Sequence, residues 1–414
     1  MNIVELTRKT FELADFLKAR LLKDRIVGST IKSLPTASPT IKLKLEELSL
    51  RYINDQSVGD EIDRNEKLVT SSIPETNLDW PALIELNKIP ELSNTAVISY
   101  FFTLDKRLLA SVWEKDKPLQ HLYLPVSEDE SDVYAKKTHE KIKNRIFFKK
   151  DGRELYDKLL RPLNISAKHF ILVPDKSLWK IPFQALSPDN EKYLIETRTI
   201  SYAPSVSILL EQLNSPKPTR KFLQAFASPS YKNEVLQYVN AEANGVSVLY
   251  NSKPLLNATV ADFERTSNKF DILHFSMHAQ VSNDQPLESF LAFKQVGKSD
   301  GRLTVENLLK VKLKKGSLVF LASCDTNNVL NGEGLVSLAW AMMGSGATTV
   351  ISAQWEANDK STELFTTRFY SYYKQGFSSA EALQKASLEL IKDKSNNMHE
   401  PYYWANFALN GDYR

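Results

Sequence analysis

Cysteine is almost missing from this chain: Cys324 is the only one in 414 residues. A single thiol forms no intrachain disulfide, so nothing here calls for an oxidising compartment. A zinc site built on two to four thiolates is excluded as well. Glycine is scarce, at 13 residues, and there is no GxGxxG or Walker sequence. That leaves no Gly-rich loop to cradle a phosphate, and no cofactor is expected. An excess of either charge is also lacking. With 53 basic and 50 acidic residues the formal net charge is +3. Such a balance gives no bulk electrostatic case for nucleic acid, and no direct nucleic-acid binding is expected. What remains, 42% apolar and 25% charged residues, is the composition of a soluble globular protein of two or three domains.

Long apolar runs are few. The stretch MNIVELTRKTFELADFLKARLLKDR is broken by charges every few residues. It holds no h-region of a signal peptide, so a cytoplasmic location is expected. From Gly334 to Trp355 no residue is charged, which approaches a membrane-spanning length. Ser337, the Gly344-Ser345-Gly346 turn and Thr348-Thr349 interrupt it. It reads as a buried helix, a tight turn and a buried strand, and no membrane contact is expected.

Along the chain the pattern changes once. Residues 1–93 read as helical and strand-poor: Ile3, Leu6, Leu13, Phe16, Leu17 and Leu21 recur at roughly helical spacing. Residues 28–42 form a Ser/Thr/Pro-rich linker, and 43–70 and 80–88 read as further helices. From about 94 strands appear, TAVISYFF (95–102) and RLLASVWE (107–114) first. SEDESD (127–132) reads as an acidic loop, 133–147 and 152–160 as helices, and HFILVP (169–174) as a buried strand. SPKPTRK (215–221) is a joint between two halves. Beyond it, strands at 222–227, 271–276, 288–293, 317–323 and 347–353 alternate with helices near 232–242, 258–267, 303–310, 333–343, 359–374 and 378–392. Alternation of this kind implies an α/β fold with a mostly parallel sheet flanked by helices.

Open α/β sheets place their sites at the carboxyl ends of strands. Two such ends carry chemistry: Met277-His278 after 271–276, and Cys324 after 317–323. A free thiol near neutral pH is mostly protonated, and a neighbouring imidazole can take that proton and return it to a leaving amine. His278 and Cys324 lie 46 positions apart, room for a strand, a helix and a strand. A lone Cys is also commonly a small buried hydrophobe, but the polar DTNNVLNGEG (325–334) that follows argues for a junction at the surface. His274 and His278 could share a metal on a helix. On a strand their rings stand about 13 Å apart, so a zinc hydrolase is rejected and no metal is assigned. His274 reads instead as a packed or hydrogen-bonded core histidine.

Together these residues resemble the CHAT family, caspase-like cysteine peptidases related to separase, from about 94 to 414. His278 stands in HFSMHA, where the family has a strand ending in His followed by Gly or Ala. Pro286 and Ser289-Phe290-Leu291 fit its P-x-x-S-x-L stretch. Cys324 in LASCDT is similar to L-S-A-C-E-T, and Gly332-Glu333-Gly334 with Leu338-Ala339 is similar to the helix start that follows. Gly346-Ala347, Val350 through Trp355, Asp359, Phe369-Tyr370 and Pro401-x-x-Trp404-Ala405-x-Phe407 continue the match, as do LVPDKSLWKIPFQAL (172–186) and SYAPSVSIL (201–209).

The resemblance implies a caspase-like sheet in two halves, an inactive one at 94–214 and an active one at 215–414, behind a short N-terminal helical region at 1–93. Cys324 is then the nucleophile and His278 the general base. The backbone N–H groups of Cys324 and Ala279 face the developing oxyanion. Asp325 keeps the charge of the commoner Glu on the substrate side. Asp359 aligns with an acidic position that helps hold a basic P1 side chain in separase; read from its own surroundings, it is a good helix N-cap. Ala322, where basic-specific relatives often carry Asp, weakens a claim of Arg or Lys specificity. The function implied is a regulated cysteine endopeptidase, a thiol protease with a protein substrate and a protein or sensor activator, in bacterial antiviral defence or programmed cell death, CRISPR-associated or gasdermin-activating. The alternative is a catalytically silent caspase-like scaffold.

Overall fold

The computed structural model describes residues 82–103, 105–146, 148–232, 234–282, 285–323, 338–393 and 398–414. The helices expected before residue 80, the linker at 28–42, Cys324, Asp325 and Gly332-Glu333-Gly334 lie outside the described residues.

In chain order the first elements are α1 (Ala82–Lys88), β1 (Thr95–Phe102), β2 (Arg107–Glu114), β3 (Gln120–Ser127), α2 (Glu128–Lys143), α3 (Lys149–Leu159), β4 (His169–Val173), β5 (Thr199–Tyr202) and α4 (Val206–Leu213). There follow β6 (Leu223–Ser228), a hairpin of β7 (Ser230–Tyr231) and β8 (Glu234–Val235), α5 (Val239–Leu249), β9 (Leu255–Leu256), α6 (Val260–Thr266) and β10 (Ile272–Met277). The chain continues through β11 (Ala279–Gln280), β12 (Phe290–Ala292), β13 (Arg302–Thr304), α7 (Val305–Leu308), β14 (Leu318–Leu321) and α8 (Leu338–Gly344). It closes with β15 (Thr349–Ala353), α9 (Asp359–Lys374), α10 (Ser379–Lys392), α11 (Pro401–Trp404) and β16 (Phe407–Gly411).

One 11-stranded sheet runs in the order β3-β2-β1-β4-β5-β16-β15-β14-β10-β6-β9. Three of its neighbour pairings are antiparallel, β3/β2, β2/β1 and β16/β15, and the rest are parallel. The sheet is thus mostly parallel and flanked by helices, as the alternation implied. Its central strands are apolar on both faces because helices cover both: HFILV, LVFL and TVISA are buried throughout. β16 lies between β5 and β15, parallel to the first and antiparallel to the second. The sense of the sheet therefore reverses there. The carboxyl ends of β10, β14 and β15 share an edge with the amino ends of β4 and β5.

Three local readings change. SEDESD is no loop: Ser127 and Glu130 form a reciprocal capping box that starts α2, and the S-x-x-E spacing is the signal for it. Residues 232–242 are not one helix, since β7 and β8 pair at 230–235 and α5 begins only at Val239. The strand at 288–293 shrinks to β12 and leaves the main sheet for a separate antiparallel one, β11-β12-β13. A parallel return needs a crossover of a dozen or more residues, and β11 and β12 are too close in sequence for one. The uncharged run, where described, is the helix α8 and the strand β15. Among the described residues, no helix is long and apolar enough to cross a membrane.

The period of two along β10 sorts its residues by face. Phe275 stacks on Phe226 at 5.2 Å and meets Phe263 at 5.7 Å between ring centroids. His274, on the other face, meets the rings of Phe320 at 5.6 Å and Tyr370 at 5.5 Å. Ser276 and His278 continue that second face toward the carboxyl edge.

Candidate active site

His278 stands directly after β10. Its carbonyl accepts the Ala292 N–H at 2.9 Å, which turns the chain from the main sheet into β11. Hydrogen-bonded and open pairs alternate along an antiparallel ladder. With 278 and 292 bonded, the next pair, Ala279 and Leu291, is the open one, so the Ala279 N–H points away from β12. The His278 side chain is 13% exposed, and its Nδ1 lies 3.8 Å from Oε2 of Glu234 on β8. Its Nε2 is buried without a hydrogen-bond partner among the described residues.

Beneath His278 the same strand face carries a buried polar column. Glu242, from α5, accepts a hydrogen bond from the Ser276 hydroxyl through Oε2. Its Oε1 lies 3.3 Å from Nε2 of His274. The Tyr370 hydroxyl of α9 meets Nδ1 of His274 at 3.2 Å. All four residues are buried. His274 is thus a buried core residue, with the Tyr370 hydroxyl at Nδ1 and the Glu242 carboxylate near Nε2. Burial pushes the Tyr370 phenol far up.

Asp359 opens α9, but the cap is its neighbour: the Asn358 side chain accepts the Ser361 N–H at 3.0 Å. The Asp359 carboxylate instead accepts the Tyr238 N–H at 2.7 Å. Burial raises its pKa above the usual carboxylate range, against the Tyr238 and Gln237 N–H groups and the nearby His278, which lower it. Glu363 is raised too, first by burial and then by Glu242. Neither Glu234 nor the Glu242 column was legible beforehand. The column had a signal, since His274, Ser276 and His278 alternate on one strand face. Glu234 had none, because a short hairpin joins it to the site.

On the nucleophile side, β14 runs parallel to β10 with His274 opposite Phe320 and Phe275 opposite Leu321. The Ala322 N–H donates to the Phe275 carbonyl at 2.9 Å, so the pairing persists past the strand end, and Ser323 beyond it is buried. The placement of Cys324 and Asp325 lies outside the described residues. Among those described, no group of three His, Cys, Asp or Glu side chains could hold a metal ion.

A family model for the CHAT domain matches residues 149–412, and the chain belongs to that family. A curated relative is tetratricopeptide repeat protein 28 from Mus musculus, 25% identical over 323 residues, covering 63% of this chain and 13% of the relative. The chain thus spans a small part of that protein. Two crystal structures of the Saccharomyces cerevisiae separase–securin complex share its fold, at 12% identity and TM-scores of 0.55 and 0.50. Each alignment covers 99% of this chain and 37% of the other. The fold is caspase-like, and the family is related to cysteine peptidases.

Proposed function

We propose that the chain is a regulated cysteine endopeptidase that cleaves one or a few protein substrates with a Cys324–His278 dyad. The observation that carries this reading is a register. Residues paired across β10 and β14 differ by 46 positions, as His274 and Phe320 do, and His278 and Cys324 differ by the same 46. The proposed dyad carries that 46-residue offset on from the described pairs to His278 and Cys324. Among the described residues nothing bonds Nε2 of His278, which supports the reading, because a general base needs a free nitrogen.

The chemistry follows from those roles. Nε2 takes the thiol proton, and the thiolate adds to the scissile carbonyl carbon. The Ala279 and Cys324 N–H groups hold the oxyanion, and the outward turn of the Ala279 N–H supports that part. His278 then protonates the leaving amine as the C–N bond breaks. Water hydrolyses the thioester and restores the thiol. Asp359 and Asp325 are the acids on the substrate side, Asp359 beside a basic P1 residue. Residues 94–214 serve as the inactive half and 215–414 as the active half, behind the helical region at 1–93. A protein or sensor switches the enzyme on, within a bacterial antiviral-defence or cell-death pathway; the family resemblance supports this setting.

The test is expression of wild type, Cys324→Ala and His278→Ala in a bacterial cell beside the proteins of neighbouring genes. Mass spectrometry then reads new peptide termini. Termini that require both side chains are expected, and their P1 residues decide the role of Asp359. Identical termini in all three strains, with every candidate activator present, overturn the reading. The match to a tetratricopeptide repeat protein favours a second one, a scaffold that keeps the fold for binding, and that result would leave it standing.

A further inference from the structure

We infer that Glu234 is a positioning residue for His278, presented by a hairpin whose two anchorages are both built on the walls of the site. The inference rests on the dyad reading above and extends it to a third group. Nδ1 of His278 and Oε2 of Glu234 stand 3.8 Å apart, so the carboxylate faces the ring nitrogen other than Nε2, the one with no hydrogen-bond partner among the described residues. An imidazole that is to take a proton at Nε2 must carry its own proton on Nδ1, and an acceptor beside Nδ1 favours that tautomer.

The hairpin is placed with care for so small an element. At its base the Leu236 N–H donates to the Pro229 carbonyl at 2.9 Å. One residue pair further on, the Tyr238 N–H donates to Asp359 at 2.7 Å, which ties the exit of β8 to the start of α9. On its flank Tyr231 packs edge-on against Phe290 of β12, with centroids 5.5 Å apart. Arg302 lies over the same Phe290 ring at 4.4 Å. β12 is the strand whose Ala292 N–H fixes the His278 carbonyl. The segment that carries Glu234 and the segment that fixes the His278 backbone are thus braced against one another. Asp359 acts on His278 through this brace, whatever its part in binding substrate.

Glu234 is 80% exposed, so the interaction is made in high dielectric and is screened by salt. Its expected effect is modest and its signature specific. In uniformly 15N-histidine-labelled protein at a pH where His278 is neutral, nitrogen shifts assigned by comparison with His278→Ala report the tautomer. Wild type is expected mainly as the Nδ1–H form, and Glu234→Ala is expected to move the population toward Nε2–H. The shift should shrink in high salt, which a change of packing would not do. Under the dyad reading, kcat of Glu234→Ala falls about two- to fivefold at low salt with KM unchanged. An unchanged tautomer in Glu234→Ala overturns the positioning role even if the protein proves to be a protease. A shifted tautomer without any cleavage leaves the positioning role standing and counts against the dyad.

Discussion

Two histidines on one edge of one sheet show how differently the halves treat the same side chain. His169 begins β4 in the first half. Both ring nitrogens are met by hydroxyls, Nδ1 by Thr199 at 2.8 Å and Nε2 by Ser201 at 3.0 Å. The ring stacks on Tyr413 at 3.9 Å. Burial pushes its pKa down to about 3. His278 follows β10 in the second half with one nitrogen facing a carboxylate and the other without a hydrogen-bond partner among the described residues. The strand ends differ in the same way. After β4, Asp175 is spent on the Phe102 N–H at 2.8 Å, while after β10 the chain turns sharply and leaves the imidazole only partly buried. A group whose hydrogen bonds are all filled stabilises; a group left with a vacancy can react.

The comparison can be broken most severely at the seam. Ending the chain after Asn406 removes β16, the strand that joins the halves, and uncovers β5 and β15. Loss of the cooperative unfolding transition and of near-ultraviolet circular dichroism is expected.

The next effect isolates the first half. The folded pKa of His169 lies below its unfolded value, so between about 3 and 6.5 the unfolded chain binds the extra proton and stability rises with pH. Acid therefore destabilises, beginning as pH falls below 6.5, and His169 alone should account for about 3 kcal/mol by pH 4. Urea midpoints at pH 7 and pH 4 read this, and His169→Gln should flatten the difference.

In the second half the corresponding buried polar group is Glu242. Glu242→Ala strands the Ser276 hydroxyl in the core, at a cost of about 2 kcal/mol in urea unfolding. Glu242→Gln should cost less, since an amide still bonds Ser276. The smallest effect concerns Asp359. Asn keeps an acceptor for the Tyr238 N–H and sheds a desolvated charge, so Asp359→Asn should shift stability by no more than about 0.5 kcal/mol. Cleavage after basic residues should fall in the same variant, and a large loss of stability instead would make Asp359 a structural anchor alone.

Legibility from sequence followed local strength of pattern. β1, β2 and α9 stand where TAVISYFF, RLLASVWE and the run from Asp359 to Lys374 place them, because each carries its own apolar period. β16 escaped because FALNG holds Asn and Gly, poor strand formers, and is made a strand by the neighbours on either side of it. β3 escaped for a like reason, with Pro125 inside an edge strand. The hairpin at 230–235 was hidden by Leu236, Tyr238 and Val239, whose apolar character suits a helix start as well as a strand. Of the site, His278 at a strand end was legible from the rule for α/β sheets. Its acidic neighbour was not, because Glu234 and His278 meet only through tertiary packing.

The seam has a further meaning for how the molecule is made. β16 follows every other described strand in the chain yet lies in the middle of the sheet. During synthesis, β5 and β15 must wait with open edges until residues 407–411 have emerged. Open strand edges invite pairing with other chains. A message cut short just before that point would yield two half-sheets without the strand that joins them, each with an open edge able to aggregate.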